Sequence, residues 1–269
     1  MLLGESMRLR IASAVILAPI ALAAVYAGGW STVALVAVAG VLAANEWDRL
    51  SGGPGLPGTA SILHAIIVVA ASVVAGLGLY GPALIVMVVG IATTMIYGAV
   101  RGRTPIWSGL GILYLVVPTI ALIWMRGAQA GVEMLIWLLL IVWATDIVGI
   151  LAGKALKGPK LWPRISPNKT WSGAIAGVIA AGVVGAITAA LREKATLGIM
   201  IPLSVALSIV SQFGDLAESA VKRYYGVKDT GTLIPGHGGI LDRIDGLLLA
   251  LPAAAAIALL NKGSALIWP

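Results

Sequence analysis

Long apolar runs, separated by short polar or Gly/Pro-containing connections, recur along the whole chain. A helix that crosses a bilayer needs about 20 mostly apolar residues, which is close to the length of these runs. The pattern therefore predicts an all-α, polytopic integral membrane protein with about nine spans. The predicted spans lie near residues 11–28, 30–45, 60–80, 82–100, 106–125, 132–152, 172–191, 196–213 and 246–267.

The composition supports this interpretation and excludes several classes of protein. Hydrophobic residues make up 59% of the 269 residues and charged residues only 11%, which is too apolar for a water-soluble domain or a disordered chain. The chain has no cysteine, so disulfides, thiolate metal sites and cysteine nucleophiles are excluded. A secretory signal peptide is the alternative for the first run, which follows Arg8 and Arg10, but no clear cleavage site follows a short apolar core.

The positions of the basic residues predict the orientation. If the amino terminus is in the cytoplasm, only four of the 18 lysines and arginines lie on the outer side of the membrane. These four are Arg126, Arg192, Lys194 and Lys262. We therefore expect a multi-pass protein of the cell (inner) membrane whose amino terminus is cytoplasmic.

Polar residues are concentrated in the carboxyl-terminal half, on the predicted cytoplasmic side. This contrast divides the chain into amino-terminal transmembrane helices, 1–130, and a catalytic transmembrane region, 131–269, with cytoplasmic loops at 153–171 and 214–245. Asp146 lies inside the sixth span, where a carboxylate is costly unless it is paired or faces water. It either pairs with a basic neighbour or lines a polar cavity. His64 is expected to be structural.

The loop 153–171 is strongly basic and contains the segment SPNKTW at 166–171. Its charge alone is typical of a cytoplasmic loop that touches lipid headgroups. The Ser, Asn and Thr residues, however, are typical of a helix amino-terminal cap. A helix amino terminus with a lysine and hydroxyl groups beside it is suited to bind an anion such as phosphate.

The segment 214–246 carries the densest group of polar residues. Asp215, Glu218, Ser219 and Lys222 are spaced to share one face of a helix, and Asp242 and Asp245 are three residues apart. A glycine-rich stretch around His237 lies between the two groups. Hard carboxylate ligands without cysteine suit Mg²⁺, and neighbouring basic residues suit phosphate. An ion-paired loop is the alternative, but the combination is typical of phosphoryl transfer.

These residues carry a likeness to a known family, the phosphatidate cytidylyltransferases, or CDP-diacylglycerol synthases. The segment that resembles the family signature is Ser219-x-Val-Lys222-Arg223-x4-Lys228-Asp229-x-Gly231-x2-Ile-Pro235-x-His237-Gly238-Gly239-Ile-x-Asp242-Arg243-Ile-Asp245. SPNKTW resembles a second motif, SPKKTxEG, with Asn168 and Ser172 as departures. The stretch Asp146–Lys154 is a looser match to D-x-x-A-Y-x-x-G-R. The resemblance covers roughly 140–246.

The resemblance implies a polytopic membrane enzyme that makes CDP-diacylglycerol and pyrophosphate from CTP and phosphatidate with Mg²⁺. It also implies a homodimer whose active site opens to the cytoplasm and to lipid, with no nucleic-acid partner. The number of metal ions and the participation of a monovalent cation stay open. The lipid phosphate is expected to attack the α-phosphorus of CTP in line, with little need for a general base.

On this resemblance we assign roles to residues as hypotheses. The catalytic residues are Asp215, Asp242, Asp245 and Lys222. The metal ligands are Asp215, Asp242 and Asp245, with Asp146 completing or orienting the site. The substrate-binding residues are Ser166, Lys169, Thr170, Ser219, Arg223, Lys228, His237 and Arg243.

Three other functions fit the sequence less well. A CDP-alcohol phosphotransferase would carry aspartates in the pattern D-G-x2-A-R-x8-G-x3-D-x3-D, which the chain lacks. An ion-coupled transporter with Asp146 as its coupling carboxylate would place polar residues near the middle of several helices. A lipid scaffold would not need the glycine-rich, acidic segment.

Overall fold

Nine helices and one short hairpin make up the described part of the chain, residues 18–51, 58–192, 195–233 and 238–266 of this computed structural model. The predicted all-α fold is confirmed, and the eight helices α2–α9 are long and apolar enough to cross a membrane. The elements are α1 (Ala18–Ala27), α2 (Gly29–Leu50), α3 (Thr59–Gly76), α4 (Tyr80–Val100), α5 (Pro105–Gly127), α6 (Gly131–Leu156), β1 (Lys160–Trp162), β2 (Ser166–Thr170), α7 (Trp171–Leu191), α8 (Leu197–Tyr224) and α9 (Leu241–Leu260).

Several helices extend beyond the predicted spans. Helix α2 continues to Leu50 and helix α8 to Tyr224, and helix α9 begins at Leu241, whereas the predicted bounds were 45, 213 and 246. About half of the predicted loop at 214–245 is therefore helical, and polar residues in its first part bond to one another along α8. The start of the first predicted span, and with it the signal-peptide alternative, lies outside the described residues.

The chain forms two compact units, of which the first comprises Met1–Gly127 and Tyr224–Ile244. Within this unit the side chain of Trp47 packs where Gly111 has no Cβ, and its indole N–H donates to the carbonyl oxygen of Trp107 at 3.0 Å. The buried carboxylate of the next residue, Asp48, has two polar partners. Asp48 forms an ion pair with Arg103 and accepts a hydrogen bond from the Ser61 hydroxyl at 2.7 Å.

His64 is buried in the first unit. Its two ring nitrogens lie 2.8 Å from the carbonyl oxygen of Ala60 and 2.9 Å from that of Ser108. Both nitrogens are thus engaged with backbone groups of α3 and α5, which ties these two helices together. The geometry agrees with the expected structural role of His64.

The second unit comprises Ala128–Arg223 and Asp245–Pro269. Helices α6 and α7 approach very closely in this unit, because glycines on both helices leave no side chain between them. A Cβ on Gly177 would lie 2.8 Å from the carbonyl oxygen of Thr145, and one on Gly149 would lie 3.3 Å from that of Gly173. Small residues let helix backbones approach in this way, as the sequence led us to expect.

The connection between α6 and α7 contains the two-stranded antiparallel hairpin. Strand β1 pairs with β2 in the register Lys160 to Thr170 and Trp162 to Ser166. The sequence predicted a helix cap in this segment and no strand. The hairpin holds the segment at the beginning of α7, so that the chain enters this helix directly from Thr170.

Candidate active site

Helices α8 and α9 approach closely at a pair of glycines. A Cβ on Gly214 would lie only 2.7 Å from the carbonyl oxygen of Asp245 and 3.3 Å from the Cα of Gly246. A Cβ on Gly246 would in turn lie 2.8 Å from the hydroxyl oxygen of Ser211. The two backbones can therefore touch here, next to Asp215 on α8 and Asp245 on α9.

Four carboxylates gather around this contact, and we call Asp146, Asp215, Glu218 and Asp245 the acidic cluster. Asp245 is partly buried and experiences the negative charge of the other three carboxylates. One of its oxygens accepts a hydrogen bond from the backbone N–H of Gly246 at 2.7 Å. Like charges held together in a poorly hydrated place repel each other, so the cluster favours a positively charged partner.

Two lysines supply part of that positive charge. Lys169, from strand β2, forms an ion pair with Asp215, which also accepts a hydrogen bond from Ser219 at 3.3 Å. Lys222 forms an ion pair with Glu218 at 3.0 Å, and both of these side chains are buried. No ion pair joins Asp245 to a basic side chain in the ranges that the structure describes.

The hairpin and the beginning of α7 lie beside the same cluster within the second unit. Thr170 is the amino-terminal cap of α7, and its hydroxyl oxygen accepts from the N–H of Gly173 at 3.2 Å. The predicted cap is therefore confirmed at Thr170, whereas Ser166 and Asn168 lie in the strand. The guanidinium of Arg223 donates to the carbonyl oxygen of Ile165 at 3.1 Å, which ties the end of α8 to the hairpin.

The acidic cluster suits a divalent cation by its chemistry and charge. Its hard carboxylate oxygens are the ligands that Mg²⁺ prefers, and Asp245 has no basic ion-pair partner in the described part of the chain. The described residues do not, however, bring three acidic or histidine side chains close enough to hold a metal ion. The type of ligand therefore suits Mg²⁺. What supports a metal site here is the negative charge of the four carboxylates, and not a preformed set of ligands.

Other predicted site residues, namely Lys228, Asp242 and Arg243, belong to the first unit. One oxygen of Asp242 accepts from the backbone N–H groups of Thr230 at 2.9 Å and Gly239 at 2.8 Å, and from the Thr230 hydroxyl at 3.0 Å. This oxygen therefore ties Thr230 and Gly239 to the first turn of α9, which gives no support to its predicted metal role. His237 lies outside the described residues.

A sequence comparison decides the family. The profile described as "Cytidylyltransferase family" matches residues 8–260, nearly the whole chain. The chain belongs to the cytidylyltransferase family.

Curated relatives in this cytidylyltransferase family are named phosphatidate cytidylyltransferase. The protein of Brucella abortus (strain 9-941) is 48% identical over 166 residues, which is 61% of this chain and 60% of that protein. The Bacillus subtilis protein is 42% identical over 46% of each chain. The Rickettsia bellii protein is 32% identical over 71% of this chain and 86% of its own length. The chain therefore spans less than two thirds of the length of the Brucella protein that it matches.

An aromatic group in the first unit was not predicted from the sequence. The ring centroid of Trp107 lies 5.3 Å from that of Tyr224 and 5.4 Å from that of Tyr225. Burial raises the pKa of the Tyr225 hydroxyl, and the neighbouring Tyr224 raises it further, so the phenol stays neutral at physiological pH. The group packs Tyr224, the last residue of α8, against Trp107 of α5.

Sequence reasoning also missed Glu46. This residue is 4% exposed and lies in α2, beyond the predicted end of the second span. The signal was present in the sequence, because apolar Trp47 and Leu50 continue the helical pattern past residue 45. An acidic residue inside such a continued span needs a partner, and the structure supplies one in the first unit.

Proposed function

We propose that this cytidylyltransferase-family protein transfers the cytidylyl group of CTP to phosphatidate, producing CDP-diacylglycerol and pyrophosphate. The observation that carries the proposal is the ion pair between Lys169 and Asp215. It joins the segment SPNKTW to Asp215, which also accepts a hydrogen bond from Ser219, the first residue of the signature segment. Two separate family motifs therefore meet at Asp215. The names of the curated relatives support the choice of substrates.

The chemistry is a displacement at phosphorus. An oxygen of the lipid phosphate forms a bond to the α-phosphorus of CTP, and the bond between that phosphorus and the β-phosphate oxygen breaks, so that pyrophosphate leaves. The attacking phosphomonoester already carries about −1.5 to −2 charge near pH 7, so it needs no strong base. The main obstacle is the repulsion between two anions, which positive groups must offset.

Residues of the second unit are suited to this task. Lys169, Lys222 and Arg223 bring positive charge to phosphate oxygens, and the lysines can exchange their carboxylate partners for substrate. Asp215 and Asp245, with Asp146, would hold Mg²⁺. Bound Mg²⁺ would neutralise phosphate charge and favour departure of pyrophosphate. The predicted roles of Lys228, His237 and Arg243 in substrate binding, and the homodimer, stay predictions.

A radiolabel assay tests the proposal. Purified protein in detergent is supplied with phosphatidate and CTP labelled at the α-phosphate, and we expect label in the lipid phase only when phosphatidate and Mg²⁺ are both present. CTP labelled at the γ-phosphate is the matched control and should leave its label in water as pyrophosphate. Folded protein that transfers no α-label to lipid would contradict the proposed function.

The proposal includes an inner-membrane location with the hairpin on the cytoplasmic side. Because the chain has no cysteine, a single introduced cysteine is labelled uniquely. In intact spheroplasts we expect K262C to react with a membrane-impermeant maleimide and K160C to react only after the membrane is broken. Both positions are exposed to the probe, so they are matched. The reverse pattern would overturn the orientation.

A further inference from the structure

A buried carboxylate on α2 holds together the two flanks of the signature loop, by which we mean the described residues 230–233 and 238–241 of the first unit. One oxygen of Glu46 accepts from the backbone N–H of Ile240 at 2.8 Å. The other accepts from the N–H of Leu241 at 2.9 Å and from the Thr230 hydroxyl at 3.0 Å. Three donors from both ends of the loop therefore converge on one side chain.

The loop sequence is shaped around this carboxylate. A Cβ on Gly239 would overlap both the Thr230 hydroxyl oxygen and a Glu46 oxygen, and one on Gly231 would lie 3.0 Å from the other Glu46 oxygen. Glycine at both positions lets the backbone close around Glu46. The fit involves the loop and α2 together, so Glu46 is more than a carboxylate that happens to be buried.

Glu46 also acts at the beginning of α9. Its two backbone donors are the N–H of Leu241, the first residue of that helix, and the N–H of Ile240 just before it. Free donors and the helix dipole favour a negative charge at this place. The side chain of Asp242 accepts hydrogen bonds from the backbone N–H groups of Thr230 and Gly239. The two carboxylates together close the base of the loop, and α9 begins from this fixed point.

We propose that Glu46 is a positioning residue for the cytidylyl transfer, which it serves by holding the two flanks of the signature loop together. This inference rests on the proposed function, because it assigns the loop a part in the reaction. Glu46 acts through the loop and not on the reacting groups. It fixes Thr230, two residues after the predicted substrate-binding Lys228, at the beginning of α9.

Glu46→Gln tests the inference, because the amide NH₂ would face backbone donors that a carboxylate accepts. Asp48→Asn is the matched control, since Asp48 is equally buried on the same helix but bonds to Arg103 and Ser61 instead of the loop. We expect E46Q to lower kcat about tenfold, since misplaced groups cost rate far from the chemistry. The KM for CTP should change less than kcat in E46Q. D48N should keep the wild-type kcat even if its melting temperature falls as much as that of E46Q.

A second readout does not depend on catalysis. A nitroxide on T232C, an exposed loop position, reports loop mobility in protein without substrate. We expect the spectral lines of E46Q to sharpen and those of D48N to match the wild type. Glu46→Asp keeps the charge, so it should restore part of the wild-type spectrum and part of the wild-type kcat. Unchanged spectra and rates in E46Q, or equal loss in D48N, would overturn the inference. Inactive wild-type protein would instead refute the proposed function and leave the spectral test standing.

Discussion

Asp245→Asn is expected to abolish cytidylyl transfer while the protein becomes at least as stable as the wild type. Asn keeps the size of the side chain and can still accept from the N–H of Gly246, but it carries no charge. If Asp245 holds the cation that offsets phosphate repulsion, we expect kcat to fall about 10²–10³-fold or more, as when one group that stabilises transition-state charge is removed. The radiolabel assay measures this loss.

The expected gain in stability has a separate cause. Asp245 lies within the electrostatic reach of Asp215, Glu218 and Asp146, and it has no ion pair with a basic side chain in the described ranges. Removing its charge relieves repulsion that the folded protein otherwise tolerates. Functional sites often retain such destabilising charge because the reaction needs it. Thermal unfolding in detergent without Mg²⁺ should therefore show a melting temperature equal to or above that of the wild type.

Glu133→Gln is the matched control for Asp245→Asn. Glu133 lies in the same unit, its carboxylate forms an ion pair with Arg192 at 2.9 Å, and its side chain is half exposed. The change in net charge is the same, so a general charge effect would act on both variants. We expect E133Q to retain activity within about twofold, since exposed ion pairs contribute little. An active D245N protein, or one that fails to fold, would refute the assigned role.

The membrane helices could be predicted from the sequence because their signal is local. Each apolar run is about as long as a bilayer is thick, and eight described helices match eight of the nine runs. The ends of these helices could not be predicted equally well. Hydropathy stops at the first charged residue, whereas α2 and α8 continue through Glu46 and Glu218, whose charges are satisfied inside the protein.

The acidic cluster was predicted in part. The spacing of Asp215, Glu218 and Lys222 on one helix face is a local property, and the structure confirms that these residues lie on one helix. The ion pair of Lys169 with Asp215 and the bonds of Glu46 to the signature loop depend on tertiary packing. No periodicity or spacing in a single sequence encodes such contacts. The engaged oxygen of Asp242 could not be foreseen for the same reason.

Gly214→Ala is expected to uncouple the two helices that carry Asp215 and Asp245. The added Cβ would lie 2.7 Å from the carbonyl oxygen of Asp245, and a backbone atom cannot rotate away as a flexible side chain can. Alanine favours a helix by about 1 kcal/mol over glycine, so α8 alone should gain stability. Overpacking typically costs about 1–3 kcal/mol, however, so we expect a net loss and a shift of α8 against α9.

The same substitution should lower activity more than stability. Displacing Asp215 from Asp245 by about 1 Å can cost about 100-fold in rate, which the radiolabel assay would detect. Gly182→Ala in α7 is the control, because a Cβ there would lie an ordinary 3.6 Å from a Val205 methyl group. We expect G182A to keep full activity and stability. Wild-type activity in G214A would mean that the close contact of α8 and α9 does not set the geometry of the acidic cluster.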